Sequence, residues 1–334
     1  MSLPFATPDL AGIGGRIKEG PADFVVEEVA LYEPSGTGEH VYVRHRRSGV
    51  TTQDLAHALA RMFGLRHFDV GVAGLKDKVA VAEQTFSLPL PKADVDEVVK
   101  KIADGMPGEV VWARRHANKL RRGHLIGNRF SVLVRGARDG ALESARRIGA
   151  RLEALGVPNF YGEQRLGDDG RNAEKGRERL RDDRRDWLSN LHHTAWQAEQ
   201  FNVWLVDRLN DGTTSVVLAG DVAKRLDNGA LFDVEDAAVE SPRVARLEIT
   251  PSGPLFGSDM RRARLAPGEH EERLVAARGM TGEELQASRL LGSRRAARVP
   301  LSDFVCEESP DGLWIRFRLP KGSYATVVLR EFTR

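Results

Sequence analysis

Only one cysteine, Cys306, occurs in the 334 residues, so an internal disulfide is excluded and the reducing cytoplasm is the expected compartment. Its strand-like neighbourhood makes that thiol a small buried hydrophobe rather than a nucleophile. No apolar run approaches the roughly 18 residues of a membrane span, and the start of the chain lacks the charged, apolar and small-residue pattern of a secretory signal. No membrane partner is expected. Nucleotide and metal chemistry lack their local signatures too: there is no P-loop, no serine elbow, and no pair of histidines at helical spacing around a glutamate. The stretch "GIGGRI", residues 12–17, misses the third glycine of a dinucleotide loop, follows no predicted strand and opens no helix. No fixed-period repeat is present, which excludes a solenoid.

Neither sign of charge prevails. Fifty Lys and Arg face 48 Asp and Glu, a net charge of +2, so total charge says little about a polyanionic partner. Its distribution says more: Arg114 to Arg135 carries seven Lys or Arg, two His and no acid, and a second acid-free stretch from Arg289 to Arg298 adds four Arg. Basic segments far apart in sequence that converge in space form a phosphate-tracking groove. Apolar residues at 41% suffice for a sizeable core, and the length suggests about two domains.

"DFVVEEVALYEP" and "EHVYVRHRR" are rich in Val and Tyr with partial alternation and read as strands around a turn. "TTQDLAHALARMFGL" opens on capping threonines and repeats Leu55, Leu59 and Phe63 at helical spacing. "FDVGVAG" reads as a strand, "LKDKVA" as an exposed turn, "EQTFSLPL" as a returning strand and "DVDEVVKKI" as a short helix. "RFSVLVRG" and "ALESARRIGARLEALG" add a strand and a helix, which together predict an α+β sheet with helices on one face. The character then changes: residues 171–186 mix Arg, Asp and Glu densely, and "HTAWQAEQFNVWLVDRL" is amphipathic. From "RVPLSDFVCEE" through "LWIRFRLPKGSYATVVLREF" strand language returns, so the last strands are expected to complete the first sheet and the middle to be an insertion.

In "AGLKDKVAVAEQTFSL", residues 73–88, Asp77 stands between Lys76 and Lys78 just where a strand has ended. A lysine folding back on it would favour the ionised form, which suits a nucleophile or the partner of a developing cation better than a proton donor. The tripeptide alone decides nothing, because aspartate in a glycine-led turn commonly caps its own backbone.

"GLKDK" followed by "TFSL", with "IKEGPADFVVEE" at 17–28, "GNRFSVLVR" at 127–135, "GVPNFYGEQRLG" at 156–167 and "LPKGSYATVVLREF" at 319–332, resembles the TruD family of tRNA pseudouridine synthases over nearly the whole chain. The resemblance implies an α+β pseudouridine synthase catalytic domain, with a mixed, largely antiparallel sheet, at residues 1–156 plus 301–334. An inserted α/β TRUD domain would occupy 157–300. It implies isomerisation of a uridine in tRNA, expected at position 13, with Asp77 as nucleophile and with neither cofactor nor metal. Phe24, Asn128 and Tyr324 match the family's substrate-contacting positions, and Lys18 and Lys76 are expected as supporting charges. Phe130 opens an alternating strand and is expected to support the structure. The tRNA is the implied partner, and no obligate protein partner is inferred. The helix start "HHTAWQAEQFN" departs from the family pattern and keeps only Phe201 and Asn202 clearly. The alternative is a non-catalytic RNA-binding protein on the same scaffold, which would gain nothing from a carboxylate in a cationic groove because it repels phosphate. A glycosidase would need a second, acid carboxyl that is not evident.

Overall fold

The computed structural model describes residues 3–167, 171–179, 186–278, 281–287 and 290–334. Residues 180–185 of the densely charged stretch, and Arg289 at the head of the second basic run, lie outside them. In chain order the first part comprises β1 (Phe24–Ala30), β2 (His40–Arg47), α1 (Thr52–Met62), β3 (Gly71–Val72), β4 (Val81–Pro89), α2 (Val95–Gly105), β5 (Glu109–His116), β6 (Leu125–Val134) and α3 (Ala141–Leu155). The middle adds β7 (Val157–Pro158), α4 (Glu163–Leu166), α5 (Asn172–Arg179), α6 (Trp187–Asn210), β8 (Val222–Arg225), β9 (Leu231–Asp233), α7 (Ala237–Ala245), β10 (Ile249–Leu255), α8 (Leu265–Ala276), α9 (Gly282–Ala287), β11 (Ser293–Ala296) and β12 (Arg298–Val299). The chain closes with β13 (Ser302–Ser309), β14 (Gly312–Pro320) and α10 (Ala325–Thr333).

Strands from both ends of the chain share one eight-stranded sheet, ordered β13-β14-β6-β1-β4-β2-β5 with β3 beside β4. Its β1–β4 pair is parallel and its other pairs antiparallel, the mixed, largely antiparallel arrangement expected. Because residues opposite one another share a face, the register puts Phe24, Val26 and Glu28 on the same side as Val132, Phe130 and Asn128. Two apolar clusters cover this face. On one half Val41, Val43, Phe86 and Leu88 pack with Leu55 and Leu59 of α1 and Val98 and Ile102 of α2. On the other half Phe24, Val26, Phe130 and Val132 pack with Ile148 and Leu152 of α3 and Val328 and Phe332 of α10. Each fully buried side chain of this size contributes about 2 kcal/mol. Between the halves runs a strip of buried polar residues: Glu28, His45, Arg47 and Gln84.

Local chemistry sets the elements. Thr51 caps α1 by accepting the Asp54 N–H at 3.1 Å, and Asp94 caps α2 through the amides of Asp96 and Glu97. In the middle segment β7 pairs with β12, so the strands that enter and leave it lie side by side. The long α6 sends Phe201, Trp204 and Leu205 into the same core as the large sheet. Trp204 lies so close to Gly253 of β10, in the four-stranded sheet β11-β10-β8-β9, that a Cβ there would fall 2.3 Å from the ring. The glycines of "GIGGRI" serve packing: a Cβ at Gly12 would meet the Arg334 carbonyl oxygen at 2.3 Å.

Several expectations change. "YATVVLREF" is not a strand but α10, because Ala325, Val328, Leu329 and Phe332 fall three and four apart and are buried. Tyr324 is therefore in a strand-to-helix turn. The strand expected in "FDVGVAG" shortens to Gly71–Val72 after a 3₁₀ turn at His67–Asp69. The basic run hides β5, an edge strand whose alternation ends in Arg114, Arg115 and His116. The second basic run is no solvated groove: Arg294 and Arg298 are buried, and Arg298 donates to the carbonyls of Leu155 and Val244.

Candidate active site

The geometry around Asp77 begins with a split in the sheet. One edge of β4 is paired to β2 from Ala82 to Pro89, whereas the other is shared, first by β1 at Val81–Glu83 and then by β3 at Phe86–Ser87. At the split the Thr85 N–H faces no strand, and Glu28 Oε1 accepts it at 3.2 Å. Glu28 Oε2 takes the Lys76 ammonium at 3.0 Å, with the two side chains only 1% and 4% exposed. The Lys76 N–H donates to Thr52 Oγ1 at 2.9 Å, and both Thr52 Oγ1 and Arg47 donate to Gln84 Oε1, at 2.7 and 2.6 Å. Gln84 Nε2 returns to the Gly74 carbonyl at 3.2 Å. The loop is thus pinned from beneath by β1, β2, β4 and the first turn of α1. Its next residues, Asp77, Lys78 and Val79, are exposed.

This network is electrostatically costly and nearly closed. Burial pushes the Arg47 guanidinium down to about 10, with Glu28 opposing the shift. Burial, and to a lesser degree the Arg47 charge, pushes His45 down to about 4, which leaves it neutral at pH 7. Lys76 is not a free counter-charge beside Asp77, because its ammonium is committed to Glu28.

Phe24 is buried, and it meets Phe130 edge-on with centroids 6.2 Å apart. The Lys18 ammonium stands 4.4 Å above the Phe24 ring, from a backbone at φ 62° that lysine rarely adopts. Asn128, opposite Glu28 in the register, is half-buried, and its Oδ1 is buried without a hydrogen-bond partner among the described residues. A polar atom left unpaired in this way is costly unless a ligand satisfies it. Tyr324 packs edge-on against Tyr161 at 6.0 Å, and the Arg295 guanidinium lies 3.9 Å over the Tyr161 ring. Burial raises the Tyr324 phenol, while Arg165 and Arg295 pull it back. Register therefore brings Phe24, Glu28 and Asn128 to one face. Tyr324 follows β14, whose Leu319 pairs with Asn128.

Sequence reasoning missed Glu28, Thr52, Gln84, Tyr161 and Arg295. One signal was available: in "FVVEEV" the alternation that buries Phe24 and Val26 also buries Glu28, and a buried acid needs a partner. Its partner, 48 residues away, carried no local signal.

A model of the family described as tRNA pseudouridine synthase D (TruD) matches residues 3–191 and 185–332. The chain belongs to the TruD family. It is 45% identical over 344 residues to the tRNA pseudouridine synthase D of Anaeromyxobacter dehalogenans strain 2CP-C, covering 99% of this chain and 96% of the relative. It is 41% identical over 331 residues to a tRNA pseudouridine synthase D of Thermus thermophilus, covering 98% and 91%. The crystal structure of a Methanosarcina mazei protein described as a putative tRNA pseudouridine synthase D aligns with a TM-score of 0.77 at 20% identity, over 99% of this chain and 96% of that one, a likeness of fold. TruD membership accounts for the order of the motifs along the chain.

Proposed function

We propose that this protein is a tRNA pseudouridine synthase that isomerises a uridine of tRNA, at position 13, with Asp77 as the nucleophile. The reaction breaks the bond between uracil N1 and ribose C1′, turns the base, and joins C5 to C1′. The proton on C5 is lost and N1 gains one, with neither water nor an electron acceptor consumed. The Asp77 carboxylate attacks sugar or base, or stabilises the cationic sugar while the base is detached. The detached uracil must be held away from bulk water. Phe24 and Tyr324 are read as ring surfaces toward it and Asn128 as the polar contact to its edge. Lys18 and Lys76 support the site, Lys76 by fixing the loop through Glu28 rather than by lying against Asp77. Residues 157–300 are read as an inserted unit hung on the β7–β12 ribbon.

One observation carries the proposal: an exposed carboxylate follows directly on a residue held beneath it by a buried ion pair, at the split between β1 and β3. A solvated turn has no need of such an anchor. Asp77→Asn is expected to abolish release of tritium from tRNA labelled at uracil C5 while tRNA still binds. Unchanged release would sink the assignment, and mapping of carbodiimide adducts locates the modified position.

A further inference from the structure

A cavity of about 760 Å³ opens beside the Asp77 loop, lined by Leu75 of that loop and by Thr52 in the first turn of α1. One wall is α1, through Thr52, Gln53, Ala56 and His57; another is His67, Phe68 and β3; the third is the segment Lys119–Arg122 between β5 and β6; and Leu75 forms the lip. It shares two anchors with the site. Thr52 Oγ1 accepts the Lys76 N–H, and Leu75 is two residues from Asp77, a span of about 7 Å at most.

Its lining is unusual in two ways. Phe68 and Leu75 are 54% and 56% exposed, and among the described residues Phe68 is the one aromatic in the exposed large apolar set. Around Phe68 flat groups follow one another: the Arg66 guanidinium lies 4.4 Å over its ring, His67 meets it at 5.3 Å, and His57 meets His67 at 5.3 Å. The Lys119 ammonium donates to the Phe68 carbonyl and ties the third wall to this ladder. Arg121 and Arg122 are exposed, no carboxylate lines the cavity, and neither guanidinium pairs with an acid among the described residues. Rings for a π-face beside cations for a phosphate are what single-stranded nucleic acid requires, and the volume lies within the roughly 300–1,000 Å³ of ligand pockets.

We infer that this cavity is a second nucleotide subsite, which takes an unpaired nucleotide of the same RNA strand near the target uridine, its base against Phe68 and His67 and its phosphates at Arg121 and Arg122. The inference rests on the proposed function for its substrate. It adds that selectivity among uridines is read from a neighbouring base as well as from the target.

The test uses the full-length protein and a tRNA transcript, with dissociation constants measured by filter binding over a salt series. Phe68→Ala is expected to weaken binding about tenfold, and Phe68→Trp to restore it, since stacking tolerates any aromatic face. Arg121→Gln combined with Arg122→Gln is expected to lower the slope of log affinity against log salt by about 1.4, about 0.7 for each lost phosphate contact. An abasic scan of the nucleotides flanking the target should find one whose removal weakens the parent as much as Phe68→Ala does, and weakens Phe68→Ala no further. An unchanged salt slope, or no such position, overturns the subsite. Tritium release by the parent reports separately on the proposed function, so failure of either reading is visible without the other.

Discussion

Two buried ion pairs of the same kind hold very different parts of this chain. Arg294 of β11 meets Glu271 of α8 through two hydrogen bonds of 3.0 and 2.7 Å, and its other donors reach Ser252 Oγ, the Ser252 carbonyl and the Arg261 carbonyl. Structure surrounds that pair, which knits β10, β11 and α8 together. Lys76 and Glu28 are as well buried, yet everything that follows Lys76 for three residues is exposed. That pair has packing on one side and, on the other, the exposed carboxylate to which we assign the nucleophile's role. The same chemistry thus serves as a clamp where both partners belong to regular elements, and as a pedestal where one belongs to a loop.

The comparison breaks most sharply at Asp77 itself: the Asn variant is expected to lose all turnover, while its unfolding free energy in urea stays within about 0.5 kcal/mol of the parent because the side chain is exposed. The clamp should do the reverse. Glu271→Gln leaves Arg294 buried without a counter-charge and is expected to cost about 3–5 kcal/mol in urea unfolding, while kcat of the folded fraction is kept; a kcat that falls with stability would erase the distinction. The pedestal should do both. Glu28→Gln keeps an oxygen for the Thr85 N–H but removes the charge facing Lys76, so we expect a loss of about 3 kcal/mol, faster amide exchange across residues 73–80, and a lower kcat. Normal turnover with a loosened loop would show that the anchor is structural only.

The smallest effect is a pH dependence rooted in the same polar strip. His45 has an ordinary value of 6.5 that burial pushes down to about 4. Between those two values the unfolded chain binds a proton that the folded protein refuses, so stability falls as pH drops from about 6.5 to 4, by up to about 3 kcal/mol. His40 and His192, also pushed down mainly by burial, act in the same direction. His45→Gln should flatten the dependence of the urea midpoint on pH over that window. An identical slope in variant and parent would remove His45 as its source.

Much of the architecture was legible from short-range pattern. Alternation marked β1, β2, β4, β6 and β14, and Thr51 and Asp94 announced their helices. The misreadings share a cause. "ATVVLREF" holds a β-branched run whose propensity favours a strand, and burial of one helical face against α3 and β14 overrode it. β5 ends in a cluster of cations that conceals its pattern. Arg294 and Arg298 looked like a surface run because charge is ordinarily exposed, and only their partners reveal that they are buried.

The chain by itself determined which residues are available for chemistry: a lone carboxylate between lysines in a glycine-led turn, and apolar periods that dictate strands and helices, since both depend on neighbours within a few positions. Tertiary structure alone decided that Lys76 faces Glu28, that β1 and β3 share an edge of β4, and that Tyr324 leans on Tyr161. These pairings join residues far apart along the chain, and the free energy that selects them arises only when polar groups are buried together and must satisfy one another.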